Sequence, residues 1–229
     1  MPSFMRRGAK LIALLLVCSV PAIAAESVPS AKDVLFNRAH IAEVAPGTVL
    51  DYKFVRKPSD EKMLGAGFSD DIKVTVEGDG APGKKNVRVD VYSGDRAREP
   101  QRITDMDGNP VLVVFLDNAV AHFRQLAGGD GAYLKNMFSQ YLGTGATVAP
   151  VKISYKGQDV DGYQIKAMPY EKDPAKTRMN GYENAVFTIA LSDKIPGYFA
   201  EMVSTFKSTD ATAPFLIETT TLDGVGAVK

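Results

Sequence analysis

Short runs in which apolar and polar residues alternate recur along most of the chain, and they constrain its fold more than any other feature. Leu50, Tyr52 and Phe54 alternate with Asp51 and Lys53. Ile72, Val74 and Val76 alternate with Lys73, Thr75 and Glu77, and Val87, Val89 and Val91 with Arg88 and Asp90. The pattern returns at Val151, Ile153 and Tyr155, at Tyr163, Ile165 and Ala167, and at Phe187, Ile189 and Leu191. The runs Tyr198 to Phe206 and Phe215 to Leu222 add two more. A period of two puts successive side chains on opposite faces of a strand, so each run has one dry face and one wet face. That pattern belongs to antiparallel sheet, because a parallel sheet buried on both faces reads as continuous apolar runs. Turn-forming G-D-G-A-P-G at 78–83 makes the second and third runs a hairpin.

The middle of the chain breaks this rhythm. P-V-L-V-V-F-L at 110–116 reads as a central strand or the start of a helix, its β-branched content favouring strand. From Asn118 to Ala127 the spacing turns helical, and G-G-D-G at 128–131 ends it. Leu134, Met137, Phe138 and Tyr141 then fall at i, i+3, i+4 and i+7, which predicts a second helix over Ala132 to Leu142. Ala31 to His40 suits a short lead-in helix. Arg56 to Ser69 reads as a long polar connection. R-A-R-E-P-Q-R at 96–102 reads as a solvated loop, with contact to head groups or a partner as its alternative. The expected fold class is α+β: an antiparallel sheet of about eight or nine strands. Two helices supply little cover, so the expected sheet is strongly curved and half-barrel-like, packed around them; a nearly closed barrel is the alternative.

Residues 1–25 have the pattern of an export signal. Arg6, Arg7 and Lys10 precede an apolar run from Leu11 to Val20, and P-A-I-A-A-E supplies small residues for cleavage after Ala24 or Ala25. The apolar run falls short of the roughly 20 residues needed to span a bilayer. Cys18 opens an alternative, a lipoprotein anchored through that residue, though Val17 before it is not small. Removing the leader takes three basic residues from 27 and leaves 24 against 27 acids, a net charge of −3. Residues 26–229 are then read as a single periplasmic domain without cysteine, which suits an oxidising compartment. No second long apolar stretch follows, so no transmembrane segment is expected in the mature chain.

Several chemistries find no motif. Only His40 and His122 carry imidazoles, and they lie too far apart in sequence for a zinc motif. D-M-D-G-N at 105–109 begins like a calcium loop, but Pro110 replaces the required glycine and Leu116 the closing acid. No G-x-S-x-G, P-loop or dinucleotide loop is present. No catalytic residue, metal or cofactor is therefore assigned. Nucleic acid is not an expected partner, given the charge and the leader.

The stretch from Gly108 through P-V-L-V-V-F-L, then L-A-G-G-D-G-A-Y-L-K-N and L-S-D-K-I-P-G-Y, resembles a family of uncharacterised exported proteins of Gram-negative bacteria. That resemblance implies a periplasmic address and no assigned activity. In architecture alone, the plan also resembles the periplasmic lipoprotein-carrier fold. The expected function is binding or carrying of an apolar or acylated ligand, with a lipid as the partner. Its candidate lining residues are Leu50, Tyr52, Phe54, Val74, Val89, Met137, Phe138, Tyr141 and Phe187. Two alternatives stand beside it: a non-catalytic module binding an envelope protein, and an enzyme with a carboxylate-based site.

Overall fold

Nine strands form one sheet, and every neighbouring pair is antiparallel. The computed structural model describes residues 28–228, so the proposed leader and its cleavage point lie outside the described residues. In chain order, helix α1 (Ala31–Phe36) precedes β1 (Thr48–Pro58), short helix α2 (Glu61–Leu64), β2 (Phe68–Asp79), β3 (Lys85–Val91) and β4 (Gln101–Met106). Helices α3 (Val111–Ala127) and α4 (Gly131–Thr144) follow. The chain then returns through β5 (Thr147–Tyr155), β6 (Gln158–Ala167), β7 (Val186–Leu191), β8 (Phe199–Phe206) and β9 (Leu216–Ala227). The spatial order is β4-β3-β2-β1-β9-β8-β7-β6-β5. Two meanders thus meet at the long β1–β9 pair, where Phe54 faces Thr220 and Arg56 faces Glu218.

The strongly curved, half-barrel-like sheet expected from the sequence is corrected by this order. The sheet is open: β4 and β5 are its two edges and do not pair with each other. The expectation failed because it counted only two helices as cover. Val34 and Leu35 of α1, Ile41 and Val44 after it, and Tyr170, Met179 and Tyr182 between β6 and β7 join α3 and α4 in one buried cluster. With that extra cover, the inner face loses its water without the sheet having to wrap around two rods. Both open edges carry features that resist pairing with other chains. Pro150, which has no N–H to offer, lies within β5, while β4 exposes Arg102 and holds Asp105 at φ +54°.

The alternating runs form strands in the expected phase. Leu50, Tyr52, Phe54, Ile72, Val74, Val76, Val87 and Val89 are all buried on the inner face. The hairpin of β2 and β3 forms, with Val74 opposite Val89. P-V-L-V-V-F-L, however, is helical. Val111, Phe115, Ala119, Phe123 and Ala127 are buried at a spacing of four, a stripe only a helix makes. Asn109 accepts the Val111 N–H through its Oδ1 at 3.1 Å, and Pro110 stands where no N–H partner is needed. Tertiary packing of that stripe outweighs the β-preference of three valines, a preference spread over about 1 kcal/mol. The polar connection expected from Arg56 to Ser69 is shorter than that range, because β1 runs to Pro58 and β2 begins at Phe68. Part of the charged stretch expected as a loop is β4, which shows no alternation because both its faces are largely wet.

Candidate functional site

Three polar or hollow regions stand out on this frame. The first surrounds His40, which is 2% exposed. Its Nε2–H donates to the Val34 carbonyl at 2.8 Å, and its Nδ1 accepts the Asn109 N–H at 3.3 Å. Asn109 in turn donates to the Tyr52 hydroxyl and the Gly197 carbonyl, both at 2.8 Å. The network ties the lead-in, β1, the start of α3 and the β7–β8 turn together, so it is structural. Gly197 is at φ +74°, and a Cβ there would fall 2.5 Å from Leu50 Cδ1, so this turn requires glycine. Asp105, Asp107 and Asn109, the apparent calcium ligands, turn to separate partners: the Ala81 N–H, the Gly108 N–H and the network just described.

Burial lowers the pKa of His40 below its ordinary 6.5, because protonation would place a cation in the core and break the bond accepted by Nδ1. Above the unfolded value both states are neutral here, and the site adds no pH dependence. As pH falls below it, the unfolded chain takes up a proton that the folded chain refuses, and stability declines. We expect a urea-denaturation series to show this His40 contribution as a slope of at most about 1.4 kcal/mol per pH unit below about pH 6.5. A His40→Gln chain, compared over the same series, should lack that contribution.

The second region joins β1, β9 and α3. Glu218 is buried, and its Oε2 accepts from His122 Nδ1 at 2.8 Å. Arg56 Nε lies 3.4 Å from the other Glu218 oxygen, and its two Nη atoms donate to the carbonyls of Leu64, Gly65 and Ala66. Arg56 therefore clamps the α2 turn onto the sheet. One turn before His122, Asn118 donates to the Tyr92 hydroxyl at 3.0 Å and accepts from Arg98 at 2.6 Å. Burial pushes the Tyr92 phenol up to about 12, so it remains a neutral partner. Donating Nδ1–H to a carboxylate leaves the lone pair of His122 on Nε2, the tautomer used by a general base. Among the described residues, no serine, threonine or second carboxylate is hydrogen-bonded to that imidazole. The pieces for nucleophilic or paired-carboxylate chemistry are not assembled around it.

The third region is a hollow of about 740 Å³ between the α3–α4 turn and the segment 174–179. Its floor is apolar, formed by Ala127, Leu134 and Met179, each no more than 5% exposed, with Pro174 and Ala175 along one wall. Gly128 and Gly129, at φ +76° and +96°, turn the chain sharply and place no side chain in the mouth. Asp130 caps α4 by accepting the Tyr133 N–H at 2.8 Å. The Tyr133 hydroxyl donates to Asp173, which also accepts the Ala175 N–H at 2.7 Å, so the second wall is pinned to the first. The exposed Arg178 side chain lies at the rim. A larger hollow of about 860 Å³ lies on the wet face of β1, β2, β3 and β9. It is lined by charges that pair with each other, Lys73 with Asp51 and Arg88 with Asp90, and Val76 alone among its lining residues is a buried apolar side chain.

The nine lining residues expected from the sequence occupy other places. Leu50, Tyr52, Phe54, Val74, Val89, Phe138 and Phe187 are buried in the common core, and Met137 and Tyr141 are partly buried on α4. The structure brings Phe138 against Phe187, with ring centroids 4.4 Å apart, and sets Phe54 against Phe68 and Tyr92. None of the nine lines the hollow at the α3–α4 turn. Its residues come from the end of α3, the G-G-D-G turn, the start of α4 and the segment 174–179, which no shared period links in sequence. No family model matches the chain, and no curated protein matches it. No described helix is long and apolar enough to cross a membrane, and among the described residues no three acidic or histidine side chains gather as a metal set.

Proposed function

We propose that this protein binds a small apolar or acylated molecule in the hollow at the α3–α4 turn. One observation carries the reading: a hollow of about 740 Å³ whose floor is Ala127, Leu134 and Met179. Small-molecule sites are concave, mostly apolar and about 300–1,000 Å³, with a few polar groups that orient the ligand. The floor supplies the apolar part, the pinned Tyr133–Asp173 pair supplies a fixed wall, and the thioether of Met179 adapts to chains of different shape. The basic start, short apolar run and small residues of 1–25 favour an exported protein that does this in the periplasm, released after Ala24 or Ala25. Anchoring through Cys18 is the other form of the same proposal. The resemblance to exported Gram-negative proteins favours that address.

A neutral naphthylamine fluorophore, titrated into the mature protein, tests the site. Bound in the hollow it should brighten and saturate at one per chain. Ala175→Phe, which fills the wall from a half-buried loop position, should weaken it by about tenfold or more with unfolding unchanged. Unchanged binding in that variant would place the fluorophore elsewhere and contradict the proposal.

A further inference from the structure

Resting on that reading, we infer that the ligand is a single apolar chain ending in an oxyanion, a carboxylate or a phosphate, with the anion held at the rim by Arg178 and Arg124. Arg178 lines the hollow itself. Arg124 Nε donates to the Gly129 carbonyl at 3.2 Å, and its Nη1 lies 3.8 Å from the point where a Cβ on Gly131 would stand. Neither forms an ion pair among the described residues, where Lys53, Arg56, Lys85 and Arg96 each have a carboxylate partner.

Carboxylates do lie nearby, and they are engaged. Asp130 accepts the Tyr133 N–H as the helix cap, and Asp173, 2% exposed, accepts the Tyr133 hydroxyl and the Ala175 N–H. The hollow therefore sets Arg178 at its rim and Arg124 on the adjoining turn, both without ion-pair partners among the described residues, beside a floor that excludes charge. An uncharged chain would use only the floor. A small hydrophilic anion would use only the rim. An amphiphile with one chain satisfies both, since a guanidinium meets an oxyanion with charge-assisted, often bidentate hydrogen bonds.

The experiment displaces the neutral fluorophore from the mature protein with dodecanoate, dodecyl phosphate and dodecanol. Wild type, Arg178→Gln and the double variant Arg178→Gln/Arg124→Gln are compared at low and physiological salt. Both arginines are exposed, so the variants should unfold with unchanged midpoints. In wild type, at least one of the two anions should bind about tenfold more tightly than the alcohol. Whichever of them binds more tightly identifies the head group. The advantage should shrink with salt and fall to about twofold or less in the double variant. Equal binding of all three ligands to wild type would overturn the oxyanion inference while leaving an apolar site. An anion advantage that survives in the double variant would overturn it as well. Failure of every ligand to displace the fluorophore would overturn both the inference and the site.

Discussion

Replacing Glu218 by leucine is expected to lower folding stability by about 3–5 kcal/mol, the loss that follows when one partner of a buried ion pair is removed. Glu218 is 3% exposed and Arg56 7%, so the guanidinium left behind has no water to turn to. Its bonds to the Leu64, Gly65 and Ala66 carbonyls hold it in place, which keeps the uncompensated charge inside the fold. His122 loses the acceptor for its Nδ1–H in the same change. Urea denaturation of single and double variants separates these effects. Arg56→Met alone should be destabilising because it leaves the Glu218 carboxylate buried with only His122. The double variant Arg56→Met/Glu218→Leu should lose less than the two singles added together, because it leaves neither charge buried alone. Strict additivity would mean that the pair is not coupled.

A loss of similar size, about 3–5 kcal/mol, is expected for Phe187→Ala. Phe187 is 1% exposed, and its ring packs against Phe138 at 4.4 Å and Phe206 at 5.7 Å, with Tyr170 at 6.5 Å. Removing the ring takes contacts from three aromatic neighbours on α4, β8 and the β6–β7 segment, and such interiors relax only partly into the space. The midpoint of unfolding should fall with the slope against urea unchanged, and affinity for the fluorophore at the α3–α4 hollow should stay within about twofold. A stable variant that instead gained affinity would assign Phe187 to a ligand cavity, the place the sequence suggested for it.

Much of the sheet was legible because its signal is local. Leu50, Tyr52 and Phe54 alternate with charged residues, and the pleat converts that alternation directly into a buried and a wet face. The exposed edge β4 lacked the signal because Gln101 and Asp105, like Arg102 and Thr104, all meet water, so no alternation marks the segment as a strand. At α3 two local cues competed. Val111, Val113 and Val114 favour extended chain one residue at a time, while the stripe from Val111 to Ala127 needs 17 residues to be seen. The openness of the sheet depended on how much cover Tyr170, Met179 and Tyr182 provide, and these sit in the charged segment between β6 and β7, where no period marks them as buried. The hollow was illegible for a related reason. It forms where G-G-D-G meets residues 174–179, about fifty positions later, and no periodicity links the two.

The hollow at the α3–α4 turn is proposed to hold a chain-like ligand. Native mass spectrometry of the protein purified from its own host without detergent tests it most directly. One adduct per chain with the mass of a single-chain amphiphile is expected, lost in the Ala175→Phe variant purified in the same way. A folded protein without adduct that retains a stoichiometric protein partner would contradict it, and would turn the reading toward an envelope interaction module.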